Sequence, residues 1–244
     1  MASSWGWHAA FGIVLVPVLA TLALVAFLAE DRPTHPAPKT LADYAAVLKM
    51  ADTGWLCFFY AVTFGGFVGL VSFLGIFFRD QYALTNLQAG AFAMLCALTG
   101  SMIRPLGGYL SDRLGGIRVL TWVYLGVAAT MAGVSALPAL GLCTLLLVAG
   151  MTLLGMGNGA VFQLVAERFP GEIGVITGLV GAAGGLGGFM LPNALGSLRQ
   201  LTQSYGGGFL AFALVGASGA IALFFVGRAW KGTPFPLRAM GRRH

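Results

Sequence analysis

One side chain in this sequence is out of keeping with its surroundings. Arg104 lies inside an otherwise uncharged stretch, Leu87 to Leu110, and no acidic residue falls inside any of the long apolar stretches. An arginine in the middle of a membrane helix costs about 2.5–3.5 kcal/mol on insertion scales, so such a residue calls for a reason. A guanidinium is a permanently charged planar fork that matches trigonal oxyanions bidentately. Held in a cavity without an acidic partner, it would bind a small anion. Pro105 follows directly, which weakens the helix and frees a carbonyl. A second environment stays open. Arg104 is about seven residues from one end of its stretch, roughly 10 Å at 1.5 Å per residue, near the limit from which arginine can snorkel to the interface.

Three further patterns surround it. Gly181, Gly184, Gly185 and Gly188 recur at three-and-four spacing and predict one bare helix face, either a packing groove or a lining. Asn158 and Gln163 interrupt another apolar run; hydrogen bonds between helices are the expected use of both. The third is a short charged turn, Gly107-Gly108-Tyr109-Leu110-Ser111-Asp112-Arg113-Leu114-Gly115-Gly116. Nothing else has catalytic form. Cys57, Cys96 and Cys143 have no metal spacing and read as apolar packing residues. His8, His35 and His244 are scattered. The glycines at 181–188 lack the strand and the following acid of a dinucleotide fingerprint. No cofactor, metal or enzymatic activity is expected.

The elements that position these residues follow from composition. Of 244 residues 58% are hydrophobic and 9% charged, against about 25% charged in an ordinary soluble domain. That excludes a soluble enzyme, a disulfide scaffold or a disordered chain and predicts an all-α polytopic membrane protein. There are 37 glycines, about twice the usual share of ~7%. Seven apolar stretches predict seven transmembrane helices at 8–28, 54–78, 87–110, 119–137, 139–166, 173–195 and 206–227, at about 20 residues per crossing. Ala136-Leu137-Pro138 divides the fourth from the fifth. The first is too long for a signal-peptide core and has no basic residue before it, so it reads as a retained span with Trp5 and Trp7 as interfacial anchors. Segment 29–53 reads as a linker with a short amphipathic surface helix from Leu41 to Met50.

Basic residues set the orientation. Arg32, Lys39, Lys49, Arg113, Arg118, Arg168, Arg228 and the basic tail 229–244 fall on one side, and only Arg79 and Arg199 on the other. The first side is predicted to be cytoplasmic, with the N-terminus outside. Topology thus accounts for the net charge of +6. Contact of the tail with anionic lipid fits it, and nucleic-acid binding is not required.

The turn Gly108-x-x-x-Asp112-Arg113-x-Gly115-Gly116 resembles the loop motif of the major facilitator superfamily found between helices 2 and 3 and again between 8 and 9. The string Thr177 to Pro192 resembles the nitrate signature of the nitrate/nitrite porter family within it, and Gly155 to Gln163 is similar to that family's helix 10. The resemblance implies that span 1–28 corresponds to helix 6, 29–53 to the cytoplasmic loop between halves, and 54–228 to the six-helix C-terminal half. It implies that Arg104 is the substrate arginine of helix 8, with Tyr60 and Phe64, i and i+4 on helix 7, as hydrogen-bond donor and pocket aromatic. Asn158 and the four signature glycines join the substrate-binding set. Gly108, Asp112, Arg113 and Gly115 form a gating loop, with Asp112 set against a neighbouring helix N-terminus and Arg113 against a carboxylate. Asp80 and Asp112 match no substrate position.

Helices 1 to 5 of the family pattern, with a second clamping arginine, have no counterpart here. The expected partners are therefore nitrate or nitrite, the bilayer of the cell inner membrane, and an N-terminal half that is on another chain or missing. The expected activity is alternating-access transport of nitrate and nitrite at the interface of two halves. Alternatives are a non-transporting remnant or subunit, or a carrier of another small anion.

Overall fold

The computed structural model describes the backbone of residues 2–29 and 41–232, and the side chains of His8, 12–29 and 45–230. The linker basics Arg32 and Lys39, the anchors Trp5 and Trp7, and the tail from Lys231 lie outside the described side chains. Residues up to Thr40 and those from Leu41 onward form two compact units, taken separately here.

The first unit contains α1, Ala2–Leu28, a 27-residue apolar helix with Pro17 inside it. The Thr21 hydroxyl donates back to the Pro17 carbonyl at 2.8 Å, the usual way a hydroxyl is satisfied inside an apolar helix.

The second unit is an antiparallel helical bundle: α2 (Leu41–Leu48), α3 (Ala51–Tyr82), α4 (Asn86–Met102), α5 (Arg104–Leu114), α6 (Gly116–Ser135), α7 (Leu140–Arg168), α8 (Ile173–Thr202) and α9 (Gly206–Gly232). With α4 and α5 taken as one crossing, six helices here are long and apolar enough to span a bilayer. The spans expected from Gly54 onward are all present, but longer. Their charged ends, Asp52 and Arg79 in α3 and Arg168 in α7, continue the helical hydrogen bonding past the apolar stretch.

Local chemistry explains the breaks. Thr85 caps α4 in a reciprocal capping box with Gln88, which satisfies two otherwise orphaned amides. The crossing is interrupted at Ile103, and Pro105 then stands in the first turn of α5, where a missing N–H does no harm. A single residue, Gly115 at φ +90°, turns α5 into α6; only glycine enters that region without strain. The α6–α7 turn passes through Leu137 at φ +51°, and the Pro138 carbonyl accepts from the Tyr82 hydroxyl at 2.7 Å.

Two seams hold the middle of the bundle. Along α3 and α8, a Cβ on Gly65 would stand 2.7 Å from the backbone of Gly187. Along α4–α5 and α7, Gly100 faces the carbonyl of Met151, Gly155 that of Gly100, Gly107 that of Met156, and Gly159 that of Arg104. Backbones this close are what small residues permit in lipid, where dispersion and weak polar contacts replace the hydrophobic effect between helices. The fully buried Tyr124 ties α6 to α3 by donating to the Phe59 carbonyl at 2.9 Å.

Candidate functional site

Three helices meet around Arg104. α3 brings one face, with Tyr60, Phe64 and Phe67 at i, i+4 and i+7. Tyr60 and Phe64 stack in parallel with centroids 5.0 Å apart. Phe162 of α7 closes on Tyr60 edge-on at 4.9 Å. The Arg104 guanidinium carbon lies 4.6 Å from the centroid of Phe67 and 5.6 Å from that of Phe64. Cation–π contacts of this kind hold a guanidinium without neutralising it. Tyr60 itself is 7% exposed.

Phe64 and Phe67 sit near the middle of α3, and Arg104 near the middle of its own crossing. The guanidinium therefore lies level with the middle of α3 and not at a helix end. Among the described residues no carboxylate pairs with it. Its Nε is buried and has no hydrogen-bond partner.

Asn158 is the second anomaly. It is 3% exposed, and neither Oδ1 nor Nδ2 has a partner. The expected bonds between helices are absent for Gln163 as well. Its amide donates along its own helix to Glu167 at 3.3 Å, while its Oε1 is buried and unpaired. In α7 the neighbours locate Asn158. Gly159 packs on the Arg104 backbone, Leu154 lies against Gly66 of α3, and Phe162, one turn on, touches Tyr60.

The four signature glycines do not share one environment. Gly184 seats the aromatic pair, since a Cβ there would stand 2.6 Å from the Tyr60 ring, and Gly188 packs beside Val68. Gly181 and Gly185 have open space around them. At 100° per residue these two lie 40° apart on one side of α8, while Gly184 and Gly188 lie on the side turned to α3. The stripe straddles a packing boundary.

The charged turn is formed, but its polar contacts differ from expectation. Asp112 is exposed, and among the described residues it has no hydrogen bond or ion pair. Arg113 lies over the Tyr109 ring at 4.6 Å. Gly108 faces the Gly159 carbonyl at 3.9 Å, and Gly115 makes the turn. At the same end, the two oxygens of Asp52 hold the Arg168 guanidinium and the Trp230 indole N–H, the latter at 2.8 Å, and Arg168 stacks over Trp230 at 4.5 Å. A cavity of about 380 Å³ opens beside this cluster, bordered by Gly116, Arg118, Glu167 and Trp230; Arg104 is not on its wall.

At the opposite end Asp80 accepts from Arg79 at 2.9 Å and from the Tyr205 hydroxyl at 3.0 Å, with Arg199 at 3.5 Å. Burial, and then donation to Asp80, push the Tyr205 phenol above its ordinary value.

Sequence reasoning missed Phe67, Phe162 and both terminal clusters. Phe67 was within reach, since it continues the Tyr60–Phe64 stripe by another turn. Arg79 is next to Asp80 in sequence, but Arg199 and Tyr205, like the Asp52 partners Arg168 and Trp230, are more than a hundred residues away, and no local spacing announces them.

The comparisons with known proteins fit this arrangement. The family model of the Major Facilitator Superfamily matches residues 1–192. The chain belongs to the major facilitator superfamily. It is thus a multi-pass membrane protein of a transporter family, not an enzyme. It is 31% identical over 227 residues to the "Nitrite extrusion protein" of Bacillus subtilis (strain 168), covering 93% of this chain and 57% of that protein. It is 33% identical over 230 residues to the "Probable nitrate transporter NarT" of Staphylococcus carnosus (strain TM300), covering 91% and 57%. With the "Probable nitrate/nitrite transporter NarK2" of Mycobacterium tuberculosis (strain ATCC 25618 / H37Rv) it shares 33% over 190 residues, covering 75% and 48%. The chain spans about half the length of the curated relatives it matches.

Proposed function

We propose that this chain is the C-terminal half of a nitrate/nitrite porter of the inner membrane, with Arg104 as the substrate ligand. The observation that carries the reading is the Arg104 guanidinium at the centre of the bundle, without an acidic partner among the described residues, with an open buried Nε–H and aromatic faces against it. A planar monovalent oxyanion neutralises that charge and accepts from its donors. The relatives named for nitrate and nitrite support the choice of anion.

The remaining helices of the carrier would supply the opposite wall. The unpartnered Asp112 and the open glycines Gly181 and Gly185 are then surfaces for that half, and the site alternates between the two membrane faces as the halves rock. Basic residues place the Arg113–Arg118 turn on the cytoplasmic side. No acidic side chain among the described residues lies near Arg104, which favours nitrate/nitrite exchange over proton coupling.

Counterflow of labelled nitrate in vesicles tests the reading. Vesicles holding this chain together with an N-terminal five-helix half should exchange external nitrate for internal nitrite, and Arg104→Gln should abolish the exchange. Exchange that survives Arg104→Gln removes Arg104 from the site. Nitrate that binds but never crosses, with or without the added half, favours the non-transporting reading.

A further inference from the structure

We infer that Asn158 discriminates a three-oxygen anion from a two-oxygen one at the Arg104 site. The inference rests on the anion reading of Arg104.

A buried carboxamide with both polar atoms unpaired is rare and costly, and calls for an explanation. Thr63, which packs against Gly157, donates its hydroxyl to the Phe59 carbonyl and makes no bond to Asn158. Asn158 therefore stands as a buried donor and acceptor with no protein use, between the α7 residue that packs on the Arg104 backbone and the one that packs on Tyr60. The orphan on Arg104, whose backbone packs on the next residue of α7, is complementary. Arg104 has an unpaired buried donor at Nε, and Asn158 has an unpaired acceptor at Oδ1.

No hydrogen bond joins the two, and an anion held by both would bridge them. The terminal nitrogens of Arg104 grip two oxygens of the ligand. Asn158 Oδ1 accepts from Arg104 Nε and fixes the plane of the fork, and Asn158 Nδ2 donates to a third oxygen. Nitrate has that third oxygen and nitrite has none. Nothing is transferred; a set of unpaired donors and acceptors is matched.

The test is binding of nitrate and of nitrite, each ¹⁵N-labelled, to the purified chain assembled with an N-terminal five-helix half in micelles, with thermal unfolding measured on the same samples. Asn158→Leu is near-isosteric and removes two unpaired buried groups. It should weaken nitrate about tenfold, the loss of one well-made hydrogen bond, and nitrite by less than about threefold, with a melting temperature at or above that of the unaltered chain. Asn158→Ala should show the same selectivity change. Arg104→Gln should lose both anions.

Equal weakening of nitrate and nitrite by Asn158→Leu, or of neither, overturns the inference while leaving Arg104 as the ligand. A clear fall in melting temperature shows that Asn158 is structural and also overturns it. If Arg104→Gln still binds both anions, or the unaltered chain assembled with an N-terminal five-helix half binds neither, the anion reading fails and the inference falls with it.

Discussion

The ends of the bundle and its middle treat charge in opposite ways. At each end a carboxylate is surrounded by donors: Asp52 by Arg168 and Trp230, Asp80 by Arg79, Arg199 and Tyr205. These clusters join α3 to α7 and α9 at one face and to α8 and the turn before α9 at the other. In the middle, Arg104 and Asn158 keep buried polar atoms without partners, although hydrogen bonds there are worth more than at a wet end. Groups that hold a fold together are satisfied within it. Groups left open at a cost to stability are the ones with business outside the chain.

The comparison can be broken or sharpened by substitution. The largest effect is expected where the middle is held by backbone contact. Gly155→Ala drives a methyl into the Gly100 carbonyl and should destabilise the bundle by about 3 kcal/mol, read by thermal unfolding in micelles. Next, Asp52→Ala leaves a largely buried guanidinium and an indole N–H without their acceptor and should cost about 2 kcal/mol. Asp52→Asn, which can still accept from Trp230, should cost less. Tyr205→Phe removes one of several donors to Asp80 and should cost about 1 kcal/mol. In the middle the sign reverses: Arg104→Leu should leave the melting temperature unchanged or raise it, because an unpaired buried charge is replaced by apolar contact. A large drop in stability from Arg104→Leu would erase the distinction between the two regions.

Much of the bundle was legible in the chain because lipid simplifies the problem. Uncharged runs must be helices, and Ala136-Leu137-Pro138 and Gly115 mark turns for reasons that act within a few residues. The break at Ile103–Arg104 was written in Pro105. Arg104 itself was visible as the one charge without a loop to sit in. What was not legible depended on rotation about helix axes and on distant pairs. Four glycines at helical spacing looked like one face, yet the α3–α8 seam divides Gly184 and Gly188 from Gly181 and Gly185. Asn158 and Gln163 looked like hydrogen-bonding links, yet their rotation turns neither toward a partner on another helix. Asp52 found Arg168 and Trp230 only through the packing of three helix ends.

The most direct test of the central claim is the nitrate affinity of the purified chain compared with its Arg104→Lys variant. Lysine keeps the positive charge but loses the planar fork. The account predicts that Arg104→Lys weakens nitrate binding by about tenfold or more while the melting temperature without nitrate stays within a few degrees. Equal affinity in the two proteins would show that Arg104 is not the residue that holds the anion.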